Sequence, residues 1–251
     1  MPQDLNLSTL VVKVTNPPLE LFVTPEAFQP NPTTVRFARA VQVKPGDTVF
    51  DIGTGVGPLA IMAAMMGASR VVGIDPVGLH CRLARMNVEK YGLQNKVEIH
   101  QGEFYAPFLA NPALSNLKAD VIIGDVSGIA DKVSVALGWY SPDVPTGGPD
   151  GTDVIIRFLK QTPRFMKPTG MVYFPVSTDL SDGQKIIDAA AGLFKKVENS
   201  FQKEYFEFPL RPQEVQAILD AYGGHLPPFI NIQPGNRPSW RGQIMQATGV
   251  R

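Results

Sequence analysis

The sequence predicts an α/β protein in which a mostly parallel sheet is covered by helices on both faces. Short apolar runs at Val49–Ile52, Val71–Asp75, Val97–His100, Ala119–Gly124 and Met171–Val176 read as buried strands. Amphipathic stretches of helical period separate them, and strands alternating with helices imply parallel pairing. The first run enters a turn with glycines at 53, 55 and 57, and the second ends in a carboxylate, Asp75.

That glycine turn organises the rest. Thr48-Val49-Phe50-Asp51-Ile52-Gly53-Thr54-Gly55-Val56-Gly57 reads as a strand running into a tight turn, with an apolar helix from Leu59 to Met66 after it. Gly53, Gly55 and Gly57 let the backbone turn sharply and come close to a ligand. Asp75, at the tip of the next strand, is placed to accept from two ribose hydroxyls, as in a nucleotide-binding βαβ unit. A dinucleotide fold wants pyrophosphate at this helix N-terminus. Asp51 would repel a pyrophosphate and suits a ligand carrying an ammonium group.

Residues 1–46 precede this unit. Leu10–Val14 is either a strand or the end of a helix, and Asn16-Pro17-Pro18 is a turn. Thr33 or Thr34 is expected to cap a helix running to about Val43. Phe28 and residues 30–34 form either a lid over the ligand or a plain cover or dimer contact. After Asp75 a helix spans about Val77 to Tyr91, with Gly92 as its stop. His80 and Cys81 are adjacent on it and point in different directions, so both read as structural. Beyond the third strand, Glu103 can accept from an exocyclic amine and Phe104 can stack on a ring. The fourth strand ends at Asp125, and a loop-rich stretch from Val126 to Thr152 follows. A structureless loop of that length is usually functional. Asp153–Met166 is an amphipathic helix ended by Lys167-Pro168-Thr169-Gly170. Helices at about Ser181–Phe194 and Gln213–Tyr222, and strands at Phe201–Phe208, Phe229–Ile232 and Arg241–Met245, complete the reading. The expected organisation is 1–46 as an N-terminal lid or cover, 47–208 as the catalytic domain, and 209–251 as an addition completing the sheet.

Lys+Arg and Asp+Glu each number 23, so the formal charge is zero and gives no electrostatic case for a nucleic-acid partner. Cys81 is the single cysteine, which excludes an internal disulfide and makes a reducing compartment, the cytoplasm, the default. No apolar run approaches membrane-spanning length. No metal-ligand spacing stands out.

The pattern Asp51-x-Gly53-x-Gly55-x-Gly57 followed by Asp75 resembles the first motifs of the class I S-adenosylmethionine (SAM)-dependent methyltransferases. The resemblance runs through about residues 20–195. It implies a Rossmann-like fold with a mostly parallel seven-stranded sheet and SAM as cofactor. It also implies a cofactor site at Asp51, Gly53, Gly55, Gly57, Asp75, Glu103, Phe104 and Asp125. Residues 30–34, the Gly147-Gly148-Pro149-Asp150-Gly151-Thr152-Asp153 turn, and Arg164–Gly170 resemble the protein-(glutamine-N5) methyltransferase branch. That branch carries Asn-Pro-Pro-Tyr after its fourth strand, where this chain reads Asp125-Val126-Ser127-Gly128. The acceptor motif is absent, so the substrate of that branch does not carry over.

For the chemistry, Asp125 acts as a base or orienting group with Ser127 beside it, or else holds the cofactor's amino group or caps the next helix. Tyr173, on the fifth strand, either offers its ring to a sulfonium or packs in the core. The resulting expectation is methyl transfer to a small molecule or peptide, with no nucleic-acid or membrane partner. One alternative is attack of SAM's own α-amine on its γ-carbon, giving azetidine-2-carboxylate and methylthioadenosine. A third reading is a non-catalytic SAM-binding regulatory subunit.

Overall fold

A computed structural model of the 251-residue chain describes residues 5–140, 144, 146–201, 205–232 and 237–251. The chain forms two compact units. One comprises Met1–Asp125 with Arg164–Gly170, the other Val126–Pro163 with Met171–Arg251.

The first unit begins with an antiparallel hairpin of β1 (Ser8–Val12) and β2 (Leu19–Val23), with Ser8 opposite Val23. Leu10 therefore lies in a strand, and Asn16-Pro17-Pro18 forms the turn, as expected. Helix α1 (Pro32–Ala40) follows. Its cap is Asn31, whose side chain accepts from the backbone N–H groups of Thr33 and Thr34. The cap thus lies two to three residues before the expected Thr33 or Thr34. Pro32 fits the first helical position, which needs no amide hydrogen, and Asn31 before it is free to cap. The helix stops at Ala40 rather than Val43.

Then come β3 (Thr48–Ile52), α2 (Pro58–Met65), β4 (Arg70–Asp75), α3 (Gly78–Lys90), β5 (Val97–Gln101), α4 (Ala106–Ala110) and β6 (Ala119–Gly124). Within this unit the strands run in the order β5, β4, β3, β6, every pair parallel. Val49, Phe50 and Ile52 are almost wholly buried, which is why β3 is an apolar run rather than an alternating one. Helix α2 is buried from Pro58 to Ala64, matching its all-round apolar sequence. Asn87 of α3 joins the hairpin to this layer. Its amide nitrogen donates to the carbonyls of Phe22 (3.0 Å) and Val56 (2.9 Å), and its oxygen accepts from Phe22 N (2.6 Å).

The second unit carries α5 (Asp131–Ala136), most of α6 (Asp153–Phe165) and β7 (Met166–Ser177), then α7 (Gly183–Leu193), β8 (Phe194–Asn199), β9 (Phe206–Pro209), α8 (Pro212–Ala221) and β10 (Ser239–Val250). Strand β10 pairs antiparallel with β7, β8 and β9. Several expectations change here. The stretch from Val126 to Thr152 contains α5, whose Ala130 and Val133 are buried with Leu180, Leu210 and Ile218. Lys167–Gly170 does not interrupt the chain but opens β7. Helix α7 ends at Leu193, beside the expected Phe194, and β8 follows it directly; the strand anticipated at Phe201–Phe208 begins at Phe206, with 202–204 outside the described residues. Phe229–Ile232 contributes one bridge, Ile230 to Leu180. Arg241–Met245 is the middle of a twelve-residue strand. Among the described residues β3 to β10 make eight strands where seven are expected, and β8 is the one the sequence does not announce.

Candidate active site

The acidic candidates of the first unit gather where its parallel strands end. Asp51 is the fourth residue of β3, Asp75 the last of β4, and Asp125 follows the last residue of β6. Ligand crevices of open α/β sheets lie at these carboxyl ends. The glycine turn runs through left-handed backbone at Gly53 (φ 78°), Gly55 (φ 54°) and Gly57 (φ 93°). Such angles disfavour other residues. At Gly57 a Cβ would stand 3.4 Å from Ala84 Cβ, so α3 also packs closely there. At Gly55 a Cβ would meet nothing within 4 Å, so the loop faces open space.

Asp75 ties the turn together. Its Oδ2 accepts from Gly55 N (2.9 Å), and its Oδ1 accepts from Val77 N (2.9 Å) and lies 3.0 Å from His80 Nδ1. Its backbone carbonyl accepts from Gly102 N (3.0 Å), which sets the Glu103-Phe104 turn beside it. Phe104 is 6% exposed with φ 47°, and Glu103 is exposed. Asp51 is fully buried. Thr54 Oγ1 donates to its Oδ2 (2.6 Å), while Oδ1 has no hydrogen-bond partner among the described residues. Burial, with the nearby Asp125 and Asp75 charges adding to it, pushes the Asp51 carboxyl up to about 7 against the Thr54 bond and the Ala60 backbone N–H. Thr34 Oγ1 donates to Asp125 Oδ2 (3.0 Å), and burial pushes that carboxyl up to about 6.

Three residues enter this arrangement that sequence reasoning left out of the site: Thr34, Thr54 and His80. For Thr54 a signal existed, since a hydroxyl three residues after a strand-end acid reaches back to it across the turn. His80 lies only five residues after Asp75, so its contact is local, whereas Thr34 meets its carboxylate, 91 positions away, only through tertiary folding. Cys81 donates to the Asp75 carbonyl (3.3 Å), and burial pushes its thiol up to about 11, as befits the structural role expected of it.

Ser127 and Tyr173 belong to the second unit. Ser127 Oγ is buried without a hydrogen-bond partner among the described residues. Tyr173 is fully buried in β7, opposite Gln246 of β10. The Gly147–Asp153 turn is closed by Asp131, whose Oδ1 accepts from Gly148 N (2.7 Å), and by Asp153 N donating to Gly147 O (2.8 Å). Among the described residues, no His, Cys, Asp and Glu group could hold a metal ion, and no helix is long and apolar enough to cross a membrane.

Residues 32–134 match the family model "Ribosomal protein L11 methyltransferase (PrmA)". A ribosomal protein L11 methyltransferase of Pelotomaculum thermopropionicum is 45% identical over 82 residues, 32% of this chain and 27% of that protein. A release factor glutamine methyltransferase of Moorella thermoacetica is 28% identical over 189 residues, 70% of this chain and 64% of that protein. The chain thus spans about a quarter of the first relative's length and under two thirds of the second's. Among solved structures, the Thermus thermophilus 16S rRNA N2 G1207 methyltransferase in complex with AdoMet and guanosine aligns with TM-score 0.58 at 14% identity. The alignment covers 97% of this chain and 50% of that one. These relatives are named for macromolecular acceptors, two proteins and an RNA. They correct the expectation of a small-molecule substrate with no nucleic acid, which rested on net charge and on the missing acceptor motif; neither reports what a neutral surface or another loop can grip. The chain has the Rossmann-like fold of the class I SAM-dependent methyltransferases, and its glycine turn and strand-end acids lie within the stretch similar to the L11 methyltransferases.

Proposed function

We propose that the chain is a SAM-dependent methyltransferase that modifies a protein, at a nitrogen as its relatives' glutamine acceptor suggests. The observation that carries this is the arrangement of Gly55, Asp75 and Asp51. The open face at Gly55 and the buried, unpartnered Asp51 Oδ1 fit a ligand with an adenosine and an ammonium group. SAM, when bound, supplies a methyl group activated by its sulfonium. Asp75 would accept from the ribose, Asp51 would face the amino group across the Gly53–Gly57 turn, and Glu103 and Phe104 would meet the adenine. Asp125, with its carboxyl raised to about 6, is suited to take a proton from an acceptor near neutral pH. In this reading the segment from Phe28 to Thr34 acts as the lid.

Replacement of Asn-Pro-Pro-Tyr by Asp125-Val126-Ser127-Gly128 favours one second reading, closure of SAM by its own α-amine with Asp125 taking the proton. One assay separates the two: incubation with SAM alone, with ribosomal protein L11 and with a release factor, followed by identification of the nucleoside. S-adenosylhomocysteine formed only with a protein supports methyl transfer. Methylthioadenosine from SAM alone would establish the second reading, and SAM recovered intact from all three mixtures would refute both.

A further inference from the structure

We propose that His80 is a positioning residue for Asp75, acting as a neutral imidazole in its Nδ1–H form and tying the chain at Phe28 to the ribose-site carboxylate. The inference rests on the cofactor reading above. His80 is 3% exposed and has two polar neighbours of fixed character. Phe28 N is a backbone donor 3.0 Å from Nε2, so Nε2 must present its lone pair. The ring hydrogen then sits on Nδ1, 3.0 Å from Asp75 Oδ1, and donates to it. An imidazolium would set a second N–H against the Phe28 N–H and break one end of the link.

The link matters because of what it leaves open. Asp75 Oδ1 receives both His80 and Val77 N, which fills its two lone-pair directions, while Oδ2 receives only Gly55 N. The remaining acceptor site therefore lies on Oδ2, on the side of the glycine turn whose Gly55 faces open space. His80 fixes the carboxylate in that rotation. The same ring holds Phe28, six residues before Thr34, whose hydroxyl holds Asp125. One chain segment is thus attached at two points to two acids of the site.

The test uses the intact protein. Nitrogen-15 spectra of the free wild type, with His80 assigned by difference from His80→Asn, should show a neutral Nδ1–H imidazole near neutral pH. An Nε2–H or doubly protonated ring would overturn the role and leave the cofactor reading standing. Calorimetry with SAM supplies the second arm. Asn places an amide donor where Nδ1 stood, so His80→Asn should bind SAM within about twofold of wild type. His80→Gln reaches the Nε2 position but cannot donate to Asp75. It should lose roughly tenfold, as should His80→Ala, the scale of one charge-assisted hydrogen bond. Equal affinities in all three variants would overturn the role. Wild type that does not bind SAM would remove the cofactor reading and this role together, whatever tautomer the ring shows.

Discussion

Asp51 and Asp179 are both fully buried carboxylates, one in each compact unit, and they are held in opposite ways. Asp179 accepts from Arg241 three times, through Nε and a terminal nitrogen (both 2.9 Å) and the backbone N–H (2.7 Å). Asp51 has one hydroxyl on one oxygen and nothing among the described residues on the other. The partly exposed acids repeat the contrast. Burial alone would raise the Asp150 carboxyl, but the Lys185 ammonium at 2.6 Å and the Thr152 hydroxyl outweigh it and hold it below the usual range. Asp125 has only Thr34 among the described residues and is pushed up to about 6. An acid paired with a cation completes an architecture. An acid buried without a cation lowers stability, and such groups cluster where a ligand is bound or a proton moved.

The largest effect should come from the paired side. Asp179→Ala leaves the guanidinium of Arg241, itself partly exposed, and its backbone N–H without their shared acceptor and should cost about 3 kcal/mol, read from urea unfolding. If stability is unchanged, the pair is ornamental and the contrast with Asp51 collapses.

Asp51→Asn should act in the reverse sense. The folded carboxyl sits near 7 against 3.8 for an ordinary Asp. Between those values the native state keeps a proton that the unfolded chain has released. This group's contribution therefore falls as pH rises from about 4 to about 7 and levels off above that, a total of about 2–4 kcal/mol. Asp125 adds a smaller slope of the same sign, ending near 6. Unfolding curves across this range should flatten in Asp51→Asn, and the variant should be more stable than wild type at neutral pH while binding SAM more weakly. A variant that is less stable at neutral pH would show that burial does not penalise Asp51.

Asp75→Ala should reduce SAM affinity at least about tenfold, since a charge-assisted bond to a ribose hydroxyl is lost along with the anchor for Gly55 N. Unchanged affinity in a folded variant would remove Asp75 from the site. The smallest expected effect is that of Gly55→Ala. Its Cβ meets open space, so only the left-handed backbone is penalised, by about 1–2 kcal/mol. Thermal melts would check that, and an undisturbed melt would mean that the turn relaxes freely.

What was legible in the sequence was local. The run from Thr48 to Asp75 carries its own instructions, an apolar stretch, three glycines and a terminal acid, and the structure follows them. Asn31 is masked by the two capping-type residues that follow it, Thr33 and Thr34, and it is Pro32, suited to the first helical position, that makes Asn31 the cap. Helix α5 is six residues long, too short for a period to show. Strand β10 extends beyond the expected Arg241–Met245 at both ends, where Ser239 and Gly249 give turn-like compositions. The site was half visible. Asp51 and Asp75 lie next to the motif that marks them, whereas Thr34 reaches an acid 91 positions away, and no spacing announces that. Net charge misled on partners because it averages over a surface that a macromolecule would read locally.

Asn87 has a consequence for the order of events during synthesis. Its amide serves both ends of the Phe22 peptide, as a neighbouring strand would, yet it lies 65 positions later in the chain. The hairpin is therefore made early and seated late. Until α3 has been built, β2 has an unsatisfied edge, and unpaired edges are where chains adhere to one another. The segment that reaches the site through Phe28 is thus anchored only once residues from His80 to Asp125 have been made, although it precedes every parallel strand in the sequence.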